Sequence, residues 1–242
     1  NDRVEIGPTD IAFAEWAASG LQAPHMPALR EYRLARLQEQ IIRHNCAGLL
    51  LFDPLNIRYA TDATNMQLWT THNPARACFV PPQGNVILWD FHNCEHLSQH
   101  LPLIGEVHHG ASFFYFETGD RTAAAADEFV AVILDLMARF GGKNKRLAVD
   151  RIEHVGYAAL RANDVDVLEG QVLTEHARSV KNANELNAMR CAIHACERAV
   201  DEMRDAMRPG VSENEMWAAL HAGNIKRGGE WIETRILASV SY

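Results

Sequence analysis

Short apolar segments that alternate with amphipathic helical patterns restrict the fold of this chain more than any other feature. Residues 47–52 read Ala-Gly-Leu-Leu-Leu-Phe, an apolar run of strand length. A run without polar alternation is typical of a strand that is covered on both faces. The run follows a helical pattern that begins at Arg30 and places Leu34, Leu37 and Ile41 on one face. Helices that alternate with such strands indicate an α/β layer.

Several further elements continue this alternation. A short helix is predicted within residues 11–18, and Pro81 and Gly84 mark a turn between two strands in residues 79–89. A long helical pattern covers residues 123–140, and two short strands are predicted at residues 146–149 and 165–168.

The pattern changes near Gly170, and a long helix with a regular apolar stripe follows. Asn182 is a candidate helix cap, because Glu185 three residues later can reach back to its amide. The stripe then continues at steps of three and four until Pro209 ends it, at Leu186, Met189, Ile193, Cys196, Val200, Met203 and Met207. We predict that this stripe is the buried face of a helix lying on a sheet of its own domain. The alternative is a coiled-coil dimer seam.

A second capping box at Ser212 and Glu215 predicts another helix, which runs to about Lys226. Residues 231–237 have the pattern of a strand. The predicted organisation is therefore a lead-in segment at 1–29, an α/β domain at 30–170, and the start of a second domain at 171–242.

Composition narrows the possible partners. The formal net charge is −8 and the isoelectric point is about 5.8, which argues against nucleic acid or an anionic membrane, since both favour a basic face. No apolar run approaches the roughly 18–20 residues of a membrane span. The five cysteines are scattered and include no Cys-x-x-Cys pair, as expected for reduced thiols in a cytosolic protein.

Two groups of His and Cys residues are interpreted as surface or packing residues rather than as functional sites. His92, His96 and His100 would share one face of a helix, but over two turns they would span about 12 Å, so only neighbouring pairs could hold one ion. We therefore expect a solvated polar face. Cys191 and Cys196 are five residues apart, on different faces of their predicted helix, and both are interpreted as packing residues.

The segment from Asn65 to Pro74 is a stronger candidate for function. It is polar, and it places the aromatic ring of Trp69 near the imidazole of His72. Trp69 could simply pack over the edge of the domain. Alternatively, the segment faces a ligand, since an exposed aromatic ring can hold a cation against its face.

Two separated motifs resemble one enzyme superfamily. The first motif is Ala-Gly-Leu-Leu-Leu-Phe-Asp-Pro-Leu-Asn-Ile-Arg-Tyr-Ala from Ala47. The second is Arg-Ser-Val-Lys from Arg178, followed by Glu185, Met189 and Arg190. In this order they resemble the creatinase/prolidase superfamily. The resemblance implies an amino-terminal domain with a mixed sheet and flanking helices, followed by the first helices and strand of a pita-bread α+β domain.

Within this superfamily, three stretches are most similar to the dimethylsulfoniopropionate lyase branch, namely residues 64–74, 188–197 and 224–235. The resemblance implies two divalent or iron-type metal ions that bind the substrate carboxylate. A carboxylate base would remove the neighbouring proton, and dimethyl sulfide would leave to give acrylate. It also implies a cytoplasmic homodimer in which Trp69 and His72 of one subunit lie over the substrate of the other. A sulfonium has no N–H donor, so an aromatic face suits it.

The carboxyl-terminal residues depart from the superfamily pattern. The ligands in the superfamily are an Asp-x-Asp pair, a later His and two Glu, but here no Asp follows Asp205 and the only later His is His221. We therefore expect no catalytic or metal-ligating residue in this chain, and no activity from it alone. The alternatives are a truncated Xaa-Pro peptidase or creatinase-like hydrolase, and a non-catalytic dimerisation module.

Overall fold

The structure is a computed structural model that describes residues 7–64, 67–91 and 93–229, with backbone only for residues 67–69. It divides into two compact units. One comprises residues 30–180, and the other comprises the described residues of 1–29 and 181–242. The helices of the described chain are α1 Asp10–Ala18, α2 Met26–Arg43, α3 Pro54–Thr61, α4 Gln67–His72, α5 Tyr115–Thr118, α6 Thr122–Gly141, α7 His154–Ala162, α8 Gln171–Ser179, α9 Ala183–Asp205 and α10 Glu213–Ile225.

The unit of residues 30–180 is built on a mixed sheet with strand order β4-β3-β2-β1-β5-β6. The strands are β1 Gly48–Leu51, β2 Ala77–Val80, β3 Val86–Asp90, β4 Ile104–His109, β5 Arg146–Val149 and β6 Asp166–Glu169. β1, β5 and β6 are parallel neighbours, whereas β2 is antiparallel to both β1 and β3. The sheet and its flanking helices confirm the predicted α/β class.

Both faces of the sheet are covered, as the apolar run in β1 predicts. One core contains Leu50 together with Phe129 and Ile133 of α6. The opposite core contains Leu49, and there Leu37 of α2 packs with the side chains of α3 and α8. All four residues of β1 are buried, so a period-2 pattern of polar residues could not occur in this strand.

Some elements lacked a clear sequence signal. β4 was not predicted, because its residues read Ile-Gly-Glu-Val-His-His and none of them is fully buried at this edge of the sheet. α3 was also missed. It begins at Pro54, and the side chain of Asp53 caps it by accepting hydrogen bonds from the amides of Leu55 and Asn56.

The second unit is held together around α9. The indole of Trp16 on α1 donates a hydrogen bond to the carbonyl of Cys191 at 3.1 Å. Arg227 is buried and donates to both carboxylate oxygens of Glu15 and to Glu202. The two predicted caps are confirmed, since Asn182 accepts from the amide of Glu185, and the capping box at the start of α10 is complete.

The predicted burial of the apolar stripe on α9 is wrong. Met189 and Ile193 are 49% and 55% exposed, Val200 is 42% exposed, and Cys196 is also exposed. The face of α9 that is buried carries Glu185, Cys191 and Ala199 instead. The regular spacing reports which residues share a face, but whether that face is covered depends on a partner surface, and the described residues do not supply one.

No helix among the described residues is long and apolar enough to cross a membrane. The predicted strand at residues 231–237 lies outside the described residues. The predicted domain boundaries at residues 29 and 170 stay predictions.

Candidate functional site

The predicted ligand-facing segment forms a short helix. Trp69 and His72 both lie in α4, and the side chain of His72 is exposed. The side chain of Trp69 lies outside the described residues. The backbone of α4 is held in part by Arg151, whose Nη2 donates to the carbonyl of Thr71 at 2.8 Å. The role predicted for Trp69 and His72 therefore stays a prediction.

A buried ion pair lies next to the carboxyl end of this segment. The guanidinium of Arg76 contacts both oxygens of Asp90, at 3.0 and 3.2 Å, and both side chains are almost fully buried. The hydroxyl of Ser98 donates a third contact to Asp90. Removal of two ions from water is costly unless their contacts compensate for it, and among the described residues the buried Nη1 of Arg76 has no hydrogen-bond partner. The pair joins the residue before β2 to the end of β3.

A second polar cluster lies where the parallel strands end. Asp150 directly follows β5 and is 5% exposed. Its carboxylate accepts hydrogen bonds from the amides of Phe52, Asp53 and Arg151, and from the side chain of Asn56, at 2.7–3.1 Å. Asp150 thus fixes the end of β1 and the start of α3 to the end of β5.

Burial and hydrogen bonding act in opposite directions on Asp150. Removal of the carboxylate from water raises its pKa, whereas the four donors lower it, and the net result is a pKa of about 6. The cost of burial is therefore the larger effect.

A cavity of about 230 Å³ opens beside this cluster. Residues that follow β1, β5 and β6 all contribute to its walls, among them Asn56, Arg151 and Gln171. Carboxyl ends of parallel strands are common places for ligands in α/β proteins.

The histidine cluster does not form the helical face on which metal binding would depend. His92 lies outside the described residues. His96 lies in a 3-10 turn at Glu95–Leu97, and both His96 and His100 are exposed. Within residues 7–64, 67–91 and 93–229, no group of three or more His, Cys, Asp or Glu side chains could hold a metal ion. The described residues therefore do not fit the metal pair that the resemblance implies.

Three of the five cysteines, Cys46, Cys78 and Cys191, are buried, as is typical of packing residues. All five are free thiols. Burial raises the pKa of Cys46, Cys78 and Cys191, which keeps these thiols protonated at neutral pH. Cys191 packs against Trp16, as predicted for a packing residue. Cys196, however, is exposed on α9, so its predicted packing role is wrong.

Comparison with known families assigns this fold. The family described as the Creatinase/Prolidase N-terminal domain matches residues 33–190. The chain belongs to this family. Two curated relatives of this creatinase/prolidase chain are both named dimethylsulfoniopropionate lyase DddP. The protein from Roseovarius nubinhibens is 50% identical over 99% of the chain, and the protein from Roseobacter denitrificans is 49% identical over 98%. The chain spans 55% and 54% of these relatives, about half of their length.

Solved structures agree with the family at the level of the fold. The Xaa-Pro dipeptidase from Bacillus anthracis has a TM-score of 0.55 and 20% identity, and the comparison covers 79% of this chain and 47% of that one. The prolidase from Thermococcus sibiricus has a TM-score of 0.58 and 16% identity, and the comparison covers 80% of this chain and 49% of the prolidase.

Sequence reasoning missed the cluster around Asp150, although a local signal was present. Asp53 and Asp150 each stand just after an apolar strand, at residues 48–51 and 146–149. Polar residues directly after parallel strands meet at one edge of the sheet. The pairing of β1 with β5 is long-range, and so only the tertiary structure places these two residues together.

Proposed function

We propose that this chain is the amino-terminal part of a metal-dependent dimethylsulfoniopropionate lyase. In the proposed reaction, a base removes the proton beside the substrate carboxylate, the C–S bond breaks, and dimethyl sulfide and acrylate form. The proposal is carried by one observation, the identity of about 50% to two proteins named as such lyases across nearly the whole chain. Sequence identity of this extent supports a shared substrate far better than a shared fold does.

The proposal divides the work between two parts of a longer protein. The described residues contain no ligand set for a metal ion. We therefore assign the metal site and the base to the part of the relatives' length that this chain does not span. The present chain would supply the domain that covers the substrate.

Within that domain, α4 is proposed to face the substrate bound by a second copy in a cytoplasmic homodimer. His72 is exposed on α4, so its imidazole is available to a ligand. Trp69 would place its ring face against the sulfonium, a contact worth roughly 0.5–2 kcal/mol.

A chimera tests the proposed reaction. This sequence would replace the matching part of the Roseovarius nubinhibens relative, and dimethyl sulfide release would be measured by headspace gas chromatography. We expect release by the metal-loaded chimera and none by the present chain alone. In parallel, hydrolysis of an Xaa-Pro dipeptide tests the alternative peptidase function. Dipeptide hydrolysis without dimethyl sulfide release would contradict the lyase proposal, and a folded chimera without either activity would favour a non-catalytic dimerisation module.

The same chimera tests the role of α4. Trp69→Ala should raise KM roughly 2- to 30-fold, which corresponds to the loss of one cation–aromatic contact. Phe116→Ala is the matched control, because Phe116 is 83% exposed on α5, and this change should leave KM unaltered. Equal kinetics for the Trp69 variant and the unsubstituted chimera would remove Trp69 from the site.

A further inference from the structure

Helix α4, which carries Trp69 and His72, is too short to be stable by itself. It has six residues, whereas an isolated helix in water needs roughly 12–15. The position of α4 on the unit of residues 30–180 therefore depends on contacts with the rest of that unit. Because the proposed function places α4 against a substrate, the residues that fix this helix also affect how tightly the substrate binds.

The chain is fixed on both sides of α4. Before the helix, Asp62 is paired with Arg30 at 2.8 Å. After the helix, Arg76 enters the buried ion pair with Asp90. Both ion pairs lie outside α4. Within the helix, the side chain of Thr70 is buried.

Arg151 reaches α4 from the end of β5. Its Nη2 donates a hydrogen bond of 2.8 Å to the carbonyl of Thr71, which is the residue before the last of the helix. The last four carbonyls of a helix have no partner within it, and a positive charge beside them is favourable. The guanidinium of Arg151 therefore satisfies a carbonyl at the carboxyl end of α4 and opposes the partial negative charge there.

The backbone of Arg151 is itself held by the cluster around Asp150. The carboxylate of Asp150 accepts a hydrogen bond of 2.7 Å from the amide of Arg151. The same carboxylate accepts from the amides of Phe52 and Asp53, at the end of β1. Arg151 thus starts from a point that is fixed to two paired strands, and a side chain on such a rigid base positions its partner more precisely than one on a loop.

We infer that Arg151 is a positioning residue, which holds α4, and with it Trp69, in the place where the substrate of a second copy binds. This inference rests on the proposed function, because that function places α4 against a substrate. The proposed metal site and base belong to another part of the protein. The effect of Arg151 therefore falls on KM rather than on kcat.

Hydrogen exchange of the purified chain, followed by mass spectrometry, tests the contact without any enzymatic activity. Arg151→Met keeps the length of the side chain and removes its donors. Peptides that contain α4 should exchange about 2- to 10-fold faster in this variant, which is the factor that one hydrogen bond contributes. Arg151→Lys, which restores a charged donor, should restore the slower exchange.

An arginine at the opposite end of β5 provides the matched control. Arg146→Met changes an exposed residue at the start of the strand and should leave the exchange of α4 unaltered. Circular dichroism and urea unfolding of all three variants verify that each remains folded.

Steady-state kinetics of the chimera test the consequence for the substrate. Arg151→Met should raise KM about 2- to 10-fold and leave kcat unaltered, and Arg151→Lys should return KM toward that of the unsubstituted chimera. In the presence of Trp69→Ala the effect of Arg151→Met on KM should disappear, because two residues that act through one contact are not additive. A residue needed only for folding would reduce the amount of active enzyme, and hence the apparent kcat, and would leave KM unaltered.

Three results would overturn the inference. They are unaltered exchange of α4 in a folded Arg151→Met variant, an equal effect of Arg146→Met, and, in a chimera that releases dimethyl sulfide, a KM that is unaltered or that multiplies with the effect of Trp69→Ala. A chimera that releases no dimethyl sulfide contradicts the proposed function instead, and the contact of Arg151 with α4 is then decided by hydrogen exchange alone.

Discussion

Replacement of Asp150 by Asn gives a direct measure of what burial costs this carboxylate. Asp150 has a pKa of about 6, raised from 3.8 because burial outweighs the donors of Asn56 and the backbone amides. Asp150→Asn keeps the shape and removes the charge. In the unsubstituted chain the donors around Asp150 all face carboxylate oxygens, and in the variant some of them face the NH2 group of Asn instead. This mismatch lowers the free energy of unfolding by an amount that does not depend on pH.

The sign of the pH effect follows from the direction of the shift. Because the pKa is higher in the folded chain than in the unfolded chain, the folded chain binds the proton more tightly, and the contribution of Asp150 is largest below about pH 4. It is lost as the pH rises through about 6. The pKa of Asp150 is about 2.2 higher in the folded chain (about 6 against 3.8). This difference contributes about 3 kcal/mol in total to the free energy of unfolding, and about 2 kcal/mol of it is lost between pH 4.5 and pH 7.5.

Urea unfolding of both proteins at pH 4.5 and pH 7.5 tests this reasoning. The pKa values of Glu15, Glu106 and Glu202 are lowered in the folded chain. Protonation of these residues at low pH therefore destabilises both proteins, and by the same amount. The stability advantage of the unsubstituted chain over Asp150→Asn should therefore be about 2 kcal/mol smaller at pH 7.5 than at pH 4.5. An advantage that stays constant or grows with pH would show that the four donors outweigh burial, and the reasoning would be refuted.

Three further predictions concern packing and the surface. Gly170→Ala should destabilise the unit of residues 30–180 by about 1–3 kcal/mol in urea unfolding, because an added Cβ would lie 2.5 Å from backbone at the end of β5; unchanged stability would contradict the close approach. Arg227→Ala should cost about 2 kcal/mol, since it leaves two carboxylates without their shared partner. Arg121→Ala, at a 78% exposed side chain, should change stability by less than about 0.5 kcal/mol, and equal effects of the two would refute the argument. Met189→Lys with Ile193→Lys should reduce self-association in sedimentation velocity, because both apolar side chains are about half exposed; association that persists would place the contact elsewhere.

Local signals predicted most of the elements. The apolar run around Leu50 predicted a strand covered on both faces, and strand β1 is buried on both. The caps at Asn182 and Ser212 are confirmed because capping depends on residues only three positions apart. β4 and α3 were missed, since an edge strand with charged residues and an eight-residue helix have weak periodicity.

The candidate site was less predictable for the same physical reason. Trp69 and His72 could be singled out because they lie close together in the sequence. Asn56 and Asp150 could not, because the hydrogen bond between their side chains joins residues 94 positions apart. That contact exists only once β1 has paired with β5, and no local pattern specifies strand order.

The sequence by itself determined the alternation of helices and strands, the helix caps, and the family to which the chain belongs. Each of these rests on residue types at short spacings. Only the tertiary structure decided that Asp150 joins two strand ends beside a cavity, and that the apolar stripe through Met189 is exposed. Burial depends on which surfaces meet, and a helix pattern fixes only which residues share a face.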